Sequence, residues 1–311
     1  MKIKEKLQII QKLSGLTQQE LALRLGVTFA ALNRWINGKA TPRPKAIEKI
    51  DQLYKEYSGE KQIPQNVLDA KKEIILKKSK GRKVIEQIIK NPDIRDQFYL
   101  SLTYHSNSIE GSTLSEGETA AILFQNAALP NKSLVEQMEA KNHRAALEYL
   151  FQCISQKNIL DKKFILKLHA ILMNAVKSDA GSYRNHAVRI MGANVPTANY
   201  LKIPVLMNKL VKDINSKNND LINKISDIHS RFEQIHPFAD GNGRVGRLLM
   251  TAMALKNNFA PVVILQEKRR FYITYLNKAQ TRGDISLLED FICEAILEGY
   301  KILEREQETN V

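Results

Sequence analysis

The segment His236-Pro237-Phe238-Ala239-Asp240-Gly241-Asn242-Gly243-Arg244-Val245-Gly246-Arg247 places a base, a carboxylate, a glycine-flanked turn and two arginines within twelve positions. An apolar stripe at helical spacing precedes it: Ile222, Ile225, Ile228, Phe232 and Ile235. A second stripe follows, formed by Val245, Leu248, Leu249, Ala252 and Met253. The spacing predicts a tight polar loop between two buried helices. A loop that feeds a helix N-terminus presents free backbone N–H groups and the positive end of the helix dipole. Such a corner is an anion site, and phosphate is its usual occupant.

The side chains fit nucleotide chemistry at that corner. Gly241 and Gly243 allow a tight turn and close approach of a ligand to the backbone. Asp240 is an oxygen ligand suited to Mg²⁺, which bridges to phosphate oxygens. Arg244 and Arg247 stand three apart, on one side of a helical turn, and guanidinium forks match phosphate oxygens. His236 at the mouth of the loop has the chemistry to take a proton from an incoming hydroxyl.

The segment resembles the signature loop of the Fic family, His-x-Phe-x-Asp/Glu-Gly-Asn-Gly-Arg-x-x-Arg, at every fixed position. The resemblance implies transfer of AMP from ATP to a hydroxyl of a target protein or of the chain itself. It gives His236 the role of base and Asp240 that of Mg²⁺ ligand. The backbone around Gly241, Asn242 and Gly243 would cradle phosphate oxygens, and Arg244 and Arg247 would bind the β/γ end. The implied fold class is all-α, a Fic-type helical bundle with a short β-hairpin flap.

A second polar cluster, Ser106-Asn107-Ser108-Ile109-Glu110-Gly111, sets Ser106 and Glu110 on one face of a helical turn, with Gly111 as the stop. It looks like the Fic family's inhibitory motif, Ser/Thr-x-x-x-Glu-Gly/Asn. The resemblance implies that Glu110 pairs with Arg247 where the γ-phosphate should sit. Its placement ahead of the catalytic core is similar to the subclass with an N-terminal inhibitory helix.

Residues 181–200, GSYRNHAVRIMGANVPTANY, read as a small hairpin bracketed by Gly181, Gly192 and Pro196. By resemblance this is the flap: its edge would hold a target segment by strand addition. Arg189, Ile190, Met191 and Gly192 would cover part of the nucleotide. Tyr272 and Gln280 match positions that line the adenine pocket in some relatives. The remaining histidines, His105, His143, His169, His186 and His229, show no metal-ligand spacing of the HExxH kind.

At the other end of the chain, Thr17-Gln18-Gln19-Glu20 is a capping box, Gly26 ends the helix it opens, and Thr28 caps a second helix running to about Ile36. Helix, short glycine turn, helix is the plan whose second helix enters the DNA major groove. The text LTQQELALRLGVTFAALNRWINGKATPRPKAIEKI resembles the repressor-like (Cro/phage repressor type) family. By that resemblance Thr28, Phe29, Ala30, Asn33 and Arg34 face the groove, and Gln18 and Lys39 touch phosphates. Such units commonly bind as dimers, which makes a homodimer one arrangement the resemblance allows, while the sequence does not fix the oligomeric state.

Charge agrees with a polyanion partner for the N-terminal part. Residues 1–100 carry 21 Lys/Arg against 11 Asp/Glu, whereas residues 101–311 carry 26 against 22, within a net charge of +14. The basic run at 71–83, KKEIILKKSKGRK, reads either as an extension of the DNA-facing surface or as a solvated linker helix. No run of about 18 apolar residues indicates a membrane span. The start of the chain, MKIKEKLQII, lacks the features of a signal peptide. Two distant cysteines, Cys153 and Cys293, argue against a cysteine zinc site and for a reducing, cytoplasmic setting.

The expected organisation is a helix-turn-helix domain at 1–58, a basic helical linker at 59–99 and a Fic domain at 100–305 with its inhibitory helix at 101–111. The expected function is an autoinhibited protein adenylyltransferase that uses Mg-ATP, modifies a Ser, Thr or Tyr hydroxyl and binds DNA. Three readings compete with it: a transcriptional regulator whose Fic module senses nucleotide, a Fic enzyme with another phosphate-containing donor, and one that removes AMP.

Overall fold

A computed structural model describes residues 1–189 and 195–305. It contains α1 (Ile3–Ser14), α2 (Gln18–Leu25), α3 (Phe29–Ile36), α4 (Pro44–Ser58), α5 (Gln65–Ser79), α6 (Val84–Lys90), α7 (Pro92–Glu110) and α8 (Glu116–Phe124). There follow α9 (Leu134–Ser155), α10 (Lys162–Leu172), α11 (Ile203–Asn215), α12 (Leu221–Ile235), α13 (Asn242–Lys256), α14 (Arg269–Arg282) and α15 (Ser286–Glu304). No strand occurs among the described residues. The all-α class is therefore as expected. The centre of the expected hairpin, residues 190–194, lies outside the described residues.

Two compact units emerge. The first comprises Met1–Pro64 and Glu267–Leu287; the second comprises Gln65–Gln266 and Leu288–Val311. In the first, the capping chemistry is as expected. The Thr17 N–H donates to Glu20 Oε2 at 2.8 Å and the Glu20 N–H returns to Thr17 Oγ1 at 3.2 Å. Gly26 closes α2 at φ +71°, and the Thr28 hydroxyl accepts from the Ala31 N–H at 3.2 Å to start α3. Leu7, Ile10, Leu21, Leu25, Leu32 and Ile50 form its core. α14 joins this unit: Phe271 stacks on Tyr57 with centroids 4.8 Å apart, and the Arg24 guanidinium lies over both rings.

The second unit is built around the antiparallel pair α12 and α13. All ten residues of the two expected apolar stripes are buried. Burying a side chain such as Phe232 or Leu249 stabilises by about 1.5–3 kcal/mol each. α13 is buried on nearly every face, which marks a central helix. It packs against α7, α9 and α10, while α11 backs α12. The basic run on and just after α5 is matched within this unit by acids of α15. Lys71 meets Asp290 at 2.5 Å, Lys78 meets Glu304 at 2.7 Å and Arg82 meets Glu304 at 2.8 Å. Much of that positive charge is thus consumed inside the unit.

Candidate active site

The chain leaves α12 through His236, whose backbone is left-handed (φ +50°), uncommon for a residue with a side chain. Arg184, only 3% exposed, holds that turn. Its Nε donates to the His236 carbonyl at 2.7 Å and its backbone N–H donates to the Pro237 carbonyl at 3.0 Å. The other guanidinium nitrogens donate to the carbonyls of His186 and Ala198, each at 2.6 Å. One arginine fork therefore ties the His236 turn to both arms of the 181–200 segment. Thr197 Oγ1 donates to the Val188 carbonyl at 2.8 Å and draws those arms together.

His236 Nδ1 lies 3.2 Å from the Glu233 carbonyl. A carbonyl only accepts, so Nδ1 carries the proton and Nε2 is left basic. Burial holds the imidazole below its ordinary pKa, and the Arg184 charge adds to that, against the opposing Glu233 carbonyl bond. The imidazole is thus neutral at physiological pH.

The loop is pinned from inside. Phe238 is fully buried and stacks on the His169 ring at 3.7 Å between centroids. The Asn242 amide accepts from the Phe238 N–H and donates to the Phe238 carbonyl, both at 2.9 Å. Its side chain is a staple; any ligand contact is left to its backbone. Gly241 sits at φ +76°, and a Cβ there would stand 2.8 Å from Met173 Sδ. Glycine is required on both counts.

Asp240 is half-exposed, with Lys177 Nζ at 3.2 Å from Oδ2 and the Gly241 N–H at 2.7 Å from Oδ1. Burial alone would raise its pKa, but the Gly241 amide, Lys177 and Arg244 outweigh it and keep the carboxyl below its ordinary value. A single ionised, accessible carboxylate fits Mg²⁺ delivered on phosphate oxygens, since that ion is commonly held by one or two protein carboxylates plus phosphates. Among the described residues no group of three His, Cys, Asp or Glu forms an all-protein cage.

Both loop arginines are buried and each meets a carboxylate from outside the loop. Arg244 Nη1 donates to Glu139 Oε1 on α9 at 2.6 Å. Arg247 donates to Glu110 Oε1 at 2.7 Å, to Ser106 Oγ at 2.9 Å and to the Ser106 carbonyl at 3.0 Å. Gly111, at φ +107°, terminates α7 and leaves Glu110 at its C-terminal end. A Cβ on Gly243 would collide with Glu110 Oε1, so this carboxylate lies against the first turn of α13. Glu110 therefore stands beside the anion position that the helix start creates.

The structure thus brings together His236, Asp240, Gly241, Asn242, Gly243, Arg244, Arg247, Ser106, Glu110 and Gly111. Arg189 is exposed, and Ile190, Met191 and Gly192 lie outside the described residues. Tyr272 (buried) and Gln280 (partly buried) lie on α14 in the first unit. In that unit Thr28, Phe29, Ala30, Arg34 and Lys39 are exposed. Asn33 Nδ2 donates to Gln18 Oε1 at 3.2 Å, which fixes those two amides against each other. Arg184, Glu139, Glu233 and Lys177 were not singled out from the sequence. Each acts through a partner more than fifty positions away or through burial, and no local pattern marks either.

Residues 159–254 match the Fic/DOC family, and residues 7–60 match a helix-turn-helix family. The chain is 31% identical over 255 residues to "Protein adenylyltransferase Fic" of Nematostella vectensis, covering 78% of this chain and 54% of that protein. It is 34% identical over 201 residues to the Aedes aegypti protein of the same name, covering 63% and 40%. The chain therefore spans about half or less of these relatives. Among solved structures, a point variant of Fic-1 (residues 134–508) from C. elegans superposes with a TM-score of 0.68 at 21% identity, covering 94% of this chain and 86% of that one. A Fic domain containing signaling protein from Bacteroides thetaiotaomicron gives 0.65 at 23%, covering 72% and 98%. These two likenesses show the fold.

Proposed function

We propose that this chain, which belongs to the Fic/DOC family and carries an N-terminal helix-turn-helix unit, is an autoinhibited protein adenylyltransferase. It transfers AMP from Mg-ATP to a Ser, Thr or Tyr hydroxyl of a target protein, and to itself, in the cytoplasm. The observation that carries the reading is the convergence on one loop of a neutral imidazole, an ionised carboxylate and a helix start flanked by two buried arginines. A pure nucleotide sensor needs the anion site but has no use for the base.

In this reading His236 Nε2 accepts the proton of the target hydroxyl as its oxygen attacks the α-phosphorus of ATP. The bond to the α–β bridging oxygen breaks, and pyrophosphate leaves carrying the electron pair. Asp240 would hold Mg²⁺, which would neutralise charge on the phosphate oxygens. Arg244, Arg247 and the first amides of α13 orient the triphosphate. Glu110 competes with the terminal phosphate for Arg247, which makes the enzyme autoinhibited. The arms of the 181–200 segment, closing as a hairpin flap, would position the target. The helix-turn-helix unit would bring the chain to DNA as a homodimer.

The test is His236→Ala. It should bind Mg-ATP with unchanged affinity and lose incorporation of labelled AMP; transfer that survives removes the assigned base. Mass spectrometry of lysate incubated with ATP, Mg²⁺ and Glu110→Gly would then report the group added and the acceptor residue.

A further inference from the structure

The α12–α13 pair has two ends. One carries the loop just described. At the other, where α12 begins and α13 finishes, lies a cavity of about 360 Å³. α12 is 15 residues long, so at about 1.5 Å per residue the cavity stands roughly 20 Å from His236.

Its lining is strongly biased toward one charge. Lys217, Lys224 and Lys256 contribute to it, with Asn218, Asn219 and Asn257 beside them, and no Asp or Glu lines it. Two carboxylates next in sequence to lining residues Ile214 and Leu221 are engaged elsewhere. Asp213 pairs with Arg231 at 2.6 Å, and Asp220 pairs with Lys72 at 2.5 Å while capping α12. Lys224 is decisive. It is 8% exposed, its ammonium donates to the Ser216 carbonyl, and among the described residues no carboxylate lies within ion-pair distance. A buried charge without a counter-charge is costly. Burial depresses its pKa; Asp213 pulls the other way and Lys256 adds a smaller push in the same direction as burial, in keeping with a cation short of compensation. Leu160, Ile214, Leu221 and Met253 supply the apolar part of the lining.

We infer that this cavity binds a small phosphomonoester, with its phosphate on Lys217, Lys224 and Lys256 and its organic part against Leu160, Leu221 and Met253. A doubly charged phosphate supplies the counter-charge that Lys224 lacks, and its oxygens accept from several donors at once. The volume, at the low end of small-molecule sites, leaves room for an organic group beyond the phosphate. The start of α12 adds a favourable dipole.

Phenyl phosphate is a suitable probe because it joins the two features in one molecule. Lysine acetylation of the full chain, read by mass spectrometry, resolves this cavity from the catalytic loop and requires no transfer activity. Lys217 and Lys256 are both exposed and open to the reagent. Phenyl phosphate should slow their labelling about fivefold or more, and phenol should not, while exposed Lys163 stays unchanged as the control. In a folded Lys256→Met variant, protection at Lys217 should fall sharply. Lys224→Met should abolish protection at both positions, and if it fails to fold Lys256→Met carries the test. Equal labelling with and without phenyl phosphate overturns the proposal, as does equal protection by phenol or protection of Lys217 that persists in Lys256→Met.

Discussion

Arg247 donates through Nη2 to Glu110 Oε1 at 2.7 Å, across 137 positions of sequence. The guanidinium is nearly buried and the carboxylate about two-fifths exposed. A carboxylate at the C-terminal end of a helix is disfavoured by the dipole of α7, so Glu110 relies on Arg247 and on the start of α13 for compensation. In the proposed reading this is the contact that the terminal phosphate must displace to reach Arg247.

Glu110→Gly should therefore raise self-labelling with radiolabelled ATP by about tenfold or more, since a charge-assisted hydrogen bond contributes roughly 1.5–3 kcal/mol. Ser106→Ala removes only the hydroxyl that accepts from Arg247 Nε and should give a smaller gain. Labelling of Glu110→Gly no greater than wild type would remove the brake from the account.

The residues of the proposed brake were legible because they fall in short-range patterns, to which the family resemblance gave a role. Ser106 and Glu110 share a helical face, Gly111 stops the helix, and the 236–247 loop falls between two apolar stripes that are indeed buried. What the sequence could not carry were partnerships set by tertiary packing. Glu139 is one more acidic residue on a helix until α9 is laid against α13. The lysines of α5 read as a basic surface until α15 supplies Glu304 and Asp290. α14 has an ordinary helical pattern, and tertiary contacts such as the stacking of Phe271 on Tyr57 assign it to the first unit.

Arg184 is the sharpest case of a residue hidden from sequence reading. Its fork holds the His236 carbonyl while the His236 backbone sits in an unfavourable region costing of order 1–3 kcal/mol. Lysine cannot reproduce that fork. Arg184→Lys and Arg184→Gln should lower the AMP-transfer rate about tenfold to a hundredfold, with Mg-ATP affinity little changed. Burial and Arg184 together keep the imidazole below the ordinary 6.5. The rate of wild type should thus rise with pH and reach half its maximum below that value. Arg184→Gln should move the midpoint upward, because a positive neighbour is gone. A purely structural arginine would leave the midpoint where it is.

Glu233 gives a pH signature in stability. It is buried against His229 and Gly246, and desolvation pushes its carboxyl up to about 8, with Arg247 pulling the other way. The folded pKa exceeds the unfolded one, so its contribution is complete below 4.5 and is lost as pH rises through 8. His143 behaves oppositely. Burial pushes it down to about 3, so its contribution is present above 6.5 and is lost as pH falls toward 3. Thermal melts across pH should show both limbs. Glu233→Gln should flatten the alkaline limb by about 1 kcal/mol per pH unit or less and spare the acid limb. An unchanged alkaline limb would mean that Glu233 is not the group responsible.

The first unit makes a separate claim, on nucleic acid. Thr28, Phe29, Ala30 and Arg34 are exposed on or at the start of α3, and exposed Lys39 follows it, as the proposed groove-reading helix requires. Binding of the full chain to its own promoter, measured by fluorescence anisotropy, should weaken steeply with salt. The slope in log K against log salt should be about −0.9 for each phosphate neutralised. Lys39→Ala should lower that slope by about one without altering sequence preference, because a phosphate contact carries no base information. Arg34→Ala should cost about 1–3 kcal/mol at one base pair and relax discrimination there. Asn33 is held by Gln18, so Gln18→Ala should loosen the same face and weaken binding through Asn33 as well as through its own lost contact. An affinity indifferent to salt would exclude the phosphate contacts and point to a protein partner for α3.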